Sequence, residues 1–264
     1  MKKIHLFALL VFAAVLIPTS VFAKTYGAEF NSATKDPNGN LYTLVWIFDE
    51  NSKSLTIEGK GDMPEMSSGA QPWAKYIKQI ENLSVEDGVT AIGKRSFGGM
   101  SALKNVEIAP TVKYIRMRAF ENCAALEEIT IPGTVENIQD QSFLNCKALR
   151  KVVFEDGVGS IGCYMFGSCK ALEDVYVYGE NTTISRMRSN QDDGVWFRGI
   201  TDFSNLTAHC RQGSDADKYF TEDIYTITNW ANNTKGDEKE QSFPKKENSM
   251  TAGGYHLNVE YITE

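Results

Sequence analysis

Histidine is scarce in this chain. Three occur among 264 residues, and one of them, His5, lies in the leader described below. His209 and His256 are too few for a histidine-rich metal site, so no metal and no cofactor is expected. A second long apolar run is also missing. The single one, residues 6–17, follows Lys2 and Lys3 and precedes Pro18 and a small-residue exit at Val21, Phe22 and Ala23. This is the pattern of a secretory signal peptide cut after Ala23, and the run is too short for a comfortable transmembrane helix. Residues 1–23 are therefore read as a leader. No cysteine stands near the cut to carry a lipid. The mature chain is expected to be soluble and outside the cytoplasm: secreted, at the cell surface or in a periplasm. Basic charge is in deficit, with 27 Lys and Arg against 34 Asp and Glu. Without Lys2 and Lys3 the mature net charge is about −9, which opposes nucleic acid and anionic membrane surfaces.

What is present is a period. Phe97, Phe120, Phe143 and Phe166 are 23 apart, and so are Leu103, Leu126, Leu149 and Leu172. Val106, Ile129, Val152 and Val175 repeat the step, as do Val89, Val112, Val135 and Val158, and Ile92, Ile115, Ile138 and Ile161. The frame reaches back to Ile80, Leu83 and Val85 and forward to Ile184. Phe197 then comes late, 31 after Phe166, which predicts an eight-residue insertion within "SRMRSNQDDGVW". Phe203 and Leu206 resume the frame. Each unit reads L-x-x-V-x-I, a turn such as "EDGV" or "PGTV", V-x-x-I, and a compact segment ending F-x-x-C-x-x-L. The alternating β-branched stretch is a strand, and glycine and proline punctuate the turns. A unit this small cannot bury its own apolar face, so the units stack into one core. The expected fold is an α/β repeat solenoid, right-handed, with 23-residue units and parallel strands on one side.

Open solenoid ends expose core, so caps are expected. "LYTLVWIFD" and "SKSLTIEGK" alternate around "ENSK" and predict a β-hairpin over the first coil, with Leu44, Trp46 and Phe48 on one face. "PEMSSGAQPWAKY" predicts a turn-rich link to a short helix. The chain divides into residues 24–76 (β cap), 77–230 (repeats and C-terminal cap, the latter within 207–230) and 231–264. The last opens with a charged segment whose composition predicts a flexible linker. It ends in "YHLNVEYIT", a strand on this domain or a tail for a partner.

"AFENCAALEEITIPGTVENI" resembles the leucine-rich repeats of BspA-like bacterial surface proteins. "WIFDENSKSLTIEGKGDMPEM" with "PWAKY" and "EDGVTAIG" resembles the cap and first repeat often found before them, and "SNLTAHCRQGSDADKYF" resembles their terminal unit. The likeness spans roughly residues 40 to 225. It implies a leucine-rich-repeat stack in a surface protein with an adhesive or recognition role, and it transfers no catalytic residue.

Cys123, Cys146 and Cys169 share one column, with Met100 in the preceding unit. Strands lie about 4.8 Å apart, whereas a disulfide wants Cβ atoms about 3.8 Å apart. Stacked side chains that point the same way do not meet that need, so these thiols read as a buried ladder of small hydrophobes. Cys163 and Cys210 lie outside the column, and a bridge between them is left open. His209 adjoins Cys210, but neighbours in a strand face opposite ways, which disfavours a thiol nucleophile. "GVGSIG" matches G-x-G-x-x-G only because its outer glycines fall in the repeat frame.

The outward row of the strands carries the functional expectation. Alternation places Ser84, Glu107, Thr130, Val153, Tyr176 and Thr207 in one row, and Asn82, Asn105, Glu128, Lys151, Asp174 and Asn205 in the next. These positions ignore the repeat. The row becomes less polar toward Val153, Tyr176 and Tyr178, near the insertion with Arg186, Arg188 and Trp196. Aromatics beside arginines are common interface anchors. Those six residues are the expected binding site for a protein or other extracellular macromolecule, with no catalysis. The bland reading of the same row is a solvated face. The alternative function is structural: joining other chains by strand addition at the C-terminus.

Overall fold

The computed structural model describes residues 25–186, 188–189, 192–193, 196–197, 205–223, 249–252 and 255–262, with backbone alone for residues 188, 189, 192, 193, 222, 223, 249–252, 255 and 256. The leader and most of 231–264 thus lie outside the described residues.

Two columns of strands carry the fold. In the first, Asn82–Val85 pairs in parallel with Asn105–Ile108. Glu128–Ile131, Lys151–Phe154, Asp174–Val177 and Thr207–Cys210 form a second parallel run. The register steps by one sequence period: Asn82 faces Asn105, and Glu128 faces Lys151, which faces Asp174. The other column consists of short strands at Gly61–Asp62, Val89–Ile92, Tyr114–Ile115, Asn137–Ile138, Ser160–Ile161 and Thr183–Ile184, all in one parallel sheet. Between the columns lies the core. Phe97, Phe120, Phe143 and Phe166 are fully buried and stack with centroids 5.4–6.1 Å apart. Trp73 continues this spine at one end and Phe197 at the other. The leucine, valine and isoleucine columns line it, as like residues meet like in the next coil.

The expected hairpin is Leu41–Asp49 with Ser54–Gly59, antiparallel, with Leu44, Trp46 and Phe48 buried. Ser54–Gly59 continues in parallel into Asn82–Val85, so the hairpin extends the repeat sheet. An unexpected strand, Thr25–Lys35, lies along its outer edge. Tyr26 and Phe30 turn inward onto Tyr76 and Trp73, but they stand four apart in an otherwise small and polar stretch, too sparse a pattern for alternation to reveal. The link ends in a 3-10 turn, Ala74–Tyr76. At the other end, Ser214 caps a helix at Asp215–Lys218 by accepting the Asp217 N–H. A π-helical turn, Tyr219–Asp223, follows and buries Tyr219 and Phe220.

The two columns differ in continuity. The short-strand sheet runs unbroken, whereas the first column has no ladder between Asn105–Ile108 and Glu128–Ile131. After three of the other strands a backbone N–H reaches back to the preceding coil: Ala109 to Val85, Glu155 to Ile131 and Tyr178 to Phe154, at 2.9–3.1 Å. Pro132 holds the same place and has no N–H to give. Val106 and Ile108 beside this seam are half-buried, unlike their fully buried counterparts in the neighbouring coils.

"YHLNVEYIT" settles on this domain. Tyr255–Tyr261 pairs in parallel with Thr207–Cys210 and antiparallel with Ser249–Ala252. It therefore has partners on both edges within its own chain.

Candidate functional site: the outward row at Tyr176

Parallel pairing sets Thr130, Val153, Tyr176, His209 and Glu260 side by side on consecutive strands. This corrects the expected row in one place. Thr207 faces Asp174, two residues short of the Tyr176 row, and His209 takes its seat. Phe197 does rejoin the aromatic spine, as the eight-residue insertion predicts. Two further residues enter between Phe197 and the next strand, so the strand arrives 33 residues after its neighbour.

Val153, Tyr176 and Tyr178 are all half-buried on this face. The Tyr176 ring lies parallel to the His209 ring, with centroids 3.9 Å apart and planes at 3°. Tyr178 follows at 5.9 Å and 12°. Lys151 Nζ sits 5.4 Å from the Tyr176 centroid, a cation–π distance. His209 Nε2 is 2.8 Å from Asp174 Oδ1, and its Nδ1 is 3.3 Å from Glu260 Oε2. Arg211 Nε donates to the Tyr178 carbonyl at 2.8 Å. Partial burial, and then the nearby Asp174 charge, lift the Tyr176 phenol above its ordinary range. The result is a stacked tyrosine pair, with His209 and Lys151 also against the Tyr176 ring.

The arginines and the tryptophan belong elsewhere. Trp196 is fully buried, not exposed as expected. It packs against Phe166, Phe197 and Phe220 and donates from Nε1 to the Gly162 carbonyl at 2.9 Å. A large ring in an insertion finds the open end of the core before it finds solvent. Arg186 is engaged within the chain. Its Nη1 reaches Asp215 Oδ2 at 2.8 Å and the Ile184 carbonyl at 3.0 Å, and its guanidinium lies over the Tyr219 ring. It pins the terminal helix to the last short strand. Arg188 lies in a two-residue strand, Arg188–Ser189, whose side chains are outside the described residues.

The cysteines form the expected ladder. All five are buried and free, including Cys163 and Cys210. Cys123, Cys146 and Cys169 donate from Sγ to the carbonyls of Phe97, Phe120 and Phe143, each one coil earlier, at 3.1–3.4 Å. Burial pushes the Cys146 thiol well above its ordinary value. Contact with Cys146, and then burial, does the same to Cys169, and burial raises Cys210 to about 12. Such thiols are poor nucleophiles.

Sequence reading passed over one more ladder. Arg95, Arg118, Gln141 and Tyr164 share one position of the repeat and all have φ between 51° and 61°. Asn122, Asn145 and Ser168 do the same at a second position, where Gly99 stands in the first of these coils. Glycine at Gly99 and asparagine in the next two coils were the available signal, since both tolerate the left-handed region. The Asn145 side chain donates to the Asn122 side chain across coils. This turn edge is rigid backbone and offers no chemistry of its own.

The repeat columns match the family model described as BspA type leucine rich repeat region, in six copies over residues 74–189. Residues 74–189 are thus similar to BspA-type leucine-rich repeats. No curated protein matches the chain. Among solved structures, the Treponema pallidum leucine-rich repeat protein TpLRR is similar at 16% identity, covering 71% of this chain and 91% of its own, with a TM-score of 0.39. The pneumococcal vaccine antigen PcpA shows 17% identity over 70% of this chain and 51% of its own, with a TM-score of 0.43. A leucine-rich cell surface protein of Faecalibacterium prausnitzii shows 17% identity over 73% and 71%, with a TM-score of 0.32. Within residues 74–189, the strand row bearing Val153 and Tyr176 is the candidate recognition face.

Proposed function

We propose that this chain is an exported, surface-exposed repeat protein that binds a macromolecular partner and performs no bond chemistry. In this reading it is a right-handed stack of 23-residue units, capped at both ends, and its strand face is the recognition surface. The observation that carries the proposal is the half-exposed pair Tyr176 and Tyr178, with Lys151 and His209 against the Tyr176 ring. Rigid aromatics lose little conformational freedom on binding and make good interface anchors. The leader pattern supports export, and the acidic balance directs the choice toward protein or another non-nucleic partner. Binding here would consist of many modest contacts to a preformed face.

The test is a binding survey of the mature chain against extracellular proteins and glycans, run beside Tyr176→Ala/Tyr178→Ala and a Thr130→Ala control. A partner held by the control and lost by the tyrosine variant, with unchanged melting, supports the face. A partner held equally by all three moves the site elsewhere on the molecule. The assembly reading is weaker, because the C-terminal strand is already paired on both edges. Deleting residues 231–264 distinguishes the two: loss of an oligomer with partner binding intact would favour assembly.

A further inference from the structure

His209 lies between two carboxylates on different strands. Asp174 belongs to the repeat strand Asp174–Val177, and Glu260 to the C-terminal strand Tyr255–Tyr261. An ionised carboxylate only accepts hydrogen bonds, and a neutral imidazole carries a single N–H. The neutral ring can therefore serve one of these carboxylates, leaving a bare nitrogen lone pair facing the other. The imidazolium has an N–H for each and adds a charge between two negative groups. The ring is largely buried and is clamped by the parallel Tyr176 ring, which limits its escape from this position. The remaining groups nearby do not substitute for it. Lys151 is placed over the Tyr176 ring, Arg211 is bonded to the Tyr178 carbonyl, and the Tyr261 hydroxyl donates to Asp217.

We propose that His209 is a proton-operated latch for the C-terminal strand, closed when the ring is protonated and loosened when it is not. The sign follows from linkage. The docked strand brings Glu260 to the ring and so favours the proton, and the proton therefore favours docking. The latch holds while the ring carries an N–H on both nitrogens and both carboxylates keep their charge. Backbone bonds from Asn258 N–H to Leu206 O and from Ile262 N–H to Cys210 O remain in both states. The proton thus changes how often the strand opens, not where it sits. Because Tyr176 packs on His209, the state of the latch also reaches the tyrosine pair.

The experiment is amide hydrogen exchange on the full mature chain at about pH 5.5 and about pH 8, either side of free imidazole at about 6.5. Rates are corrected for intrinsic exchange. Amides of residues 257–261 should be roughly threefold or more better protected at the lower pH, while those of Ser54–Gly59 should not change between the two. Both His209→Gln and Glu260→Gln should remove the difference. Glu260 is 69% exposed, so its variant leaves the fold intact even where the His209 variant does not. Equal protection of 257–261 at both pH values in the wild type would overturn the proposal, and so would a difference that persists in Glu260→Gln.

Discussion

Along the strand Asp174–Val177, Val175 and Val177 are fully buried, while Asp174 and Tyr176 are half exposed. The inward pair copies Val152 and Phe154 one coil earlier and Ile129 and Ile131 two coils earlier. The outward pair follows Lys151 and Val153, then Glu128 and Thr130, and copies nothing. An inward side chain in a stack meets its own counterpart above and below, so every coil faces the same packing problem and reaches a similar answer. An outward side chain meets water or a partner, and no neighbour constrains its type. One strand thus carries both the scaffold and the part of the molecule free to acquire a function.

Substitutions on the two faces should break this comparison if it is wrong. Phe143→Ala removes a fully buried ring stacked between Phe120 and Phe166, and should lower the urea-unfolding free energy by about 3–5 kcal/mol. Asp215→Asn loosens the end of the stack and should lower it by about 1–2 kcal/mol. Burial opposes ionisation of Asp215, but the Arg186 guanidinium and the Ile184 N–H outweigh it and hold the carboxyl below its usual value. Its contribution is therefore present at neutral pH and lost as pH falls below about 4, which an acid titration of the wild type and the variant would register as converging melting temperatures. For the inward thiols the sign is reversed. Raised values for Cys146, Cys169 and Cys210 give stability that is present below the unfolded thiol's 9.0 and lost as pH rises above it. Melting temperature should decline above about pH 9, and iodoacetamide at neutral pH should label no cysteine until the chain is unfolded.

A finer comparison separates two junctions within the first column. Amides of Glu128–Ile131 face a seam, whereas those of Lys151–Phe154 face a complete ladder. The former should exchange faster by hydrogen-exchange mass spectrometry, and equal rates would mean that Pro132 opens nothing. The smallest effect belongs to the outward face. Lys151→Ala should stay within about 0.5 kcal/mol of the wild type, and a loss near that of Phe143→Ala would show the faces to be reversed.

Much of this was legible in the sequence because burial by stacking writes a period. Phe120, Cys146 and Leu149 could be assigned inward from spacing alone, and Val153 and Tyr176 outward by alternation. The insertion was legible in part. It was sized at eight residues on Phe197, which does rejoin the spine, but the further two before the strand left no mark in the apolar pattern. His209 was therefore missed and Thr207 put in its place. Trp196 was read as a surface anchor because an insertion usually projects, and the vacancy at the end of the spine was invisible without coordinates. Thr25–Lys35 pairs along an edge with few apolar residues of its own, so it left almost no periodic trace.

The sequence by itself determined the repeat, its core columns, the inward cysteine ladder and the outward row, since each follows from which side chains water rejects at a fixed spacing. Only the tertiary structure decided what meets across coils and across the ends of the chain: His209 between Asp174 and Glu260, Arg186 on Asp215, Trp196 inside, and the seam at Pro132. Those contacts join residues of different repeats or of none, through register and chain reversal, and a one-dimensional period carries no record of either.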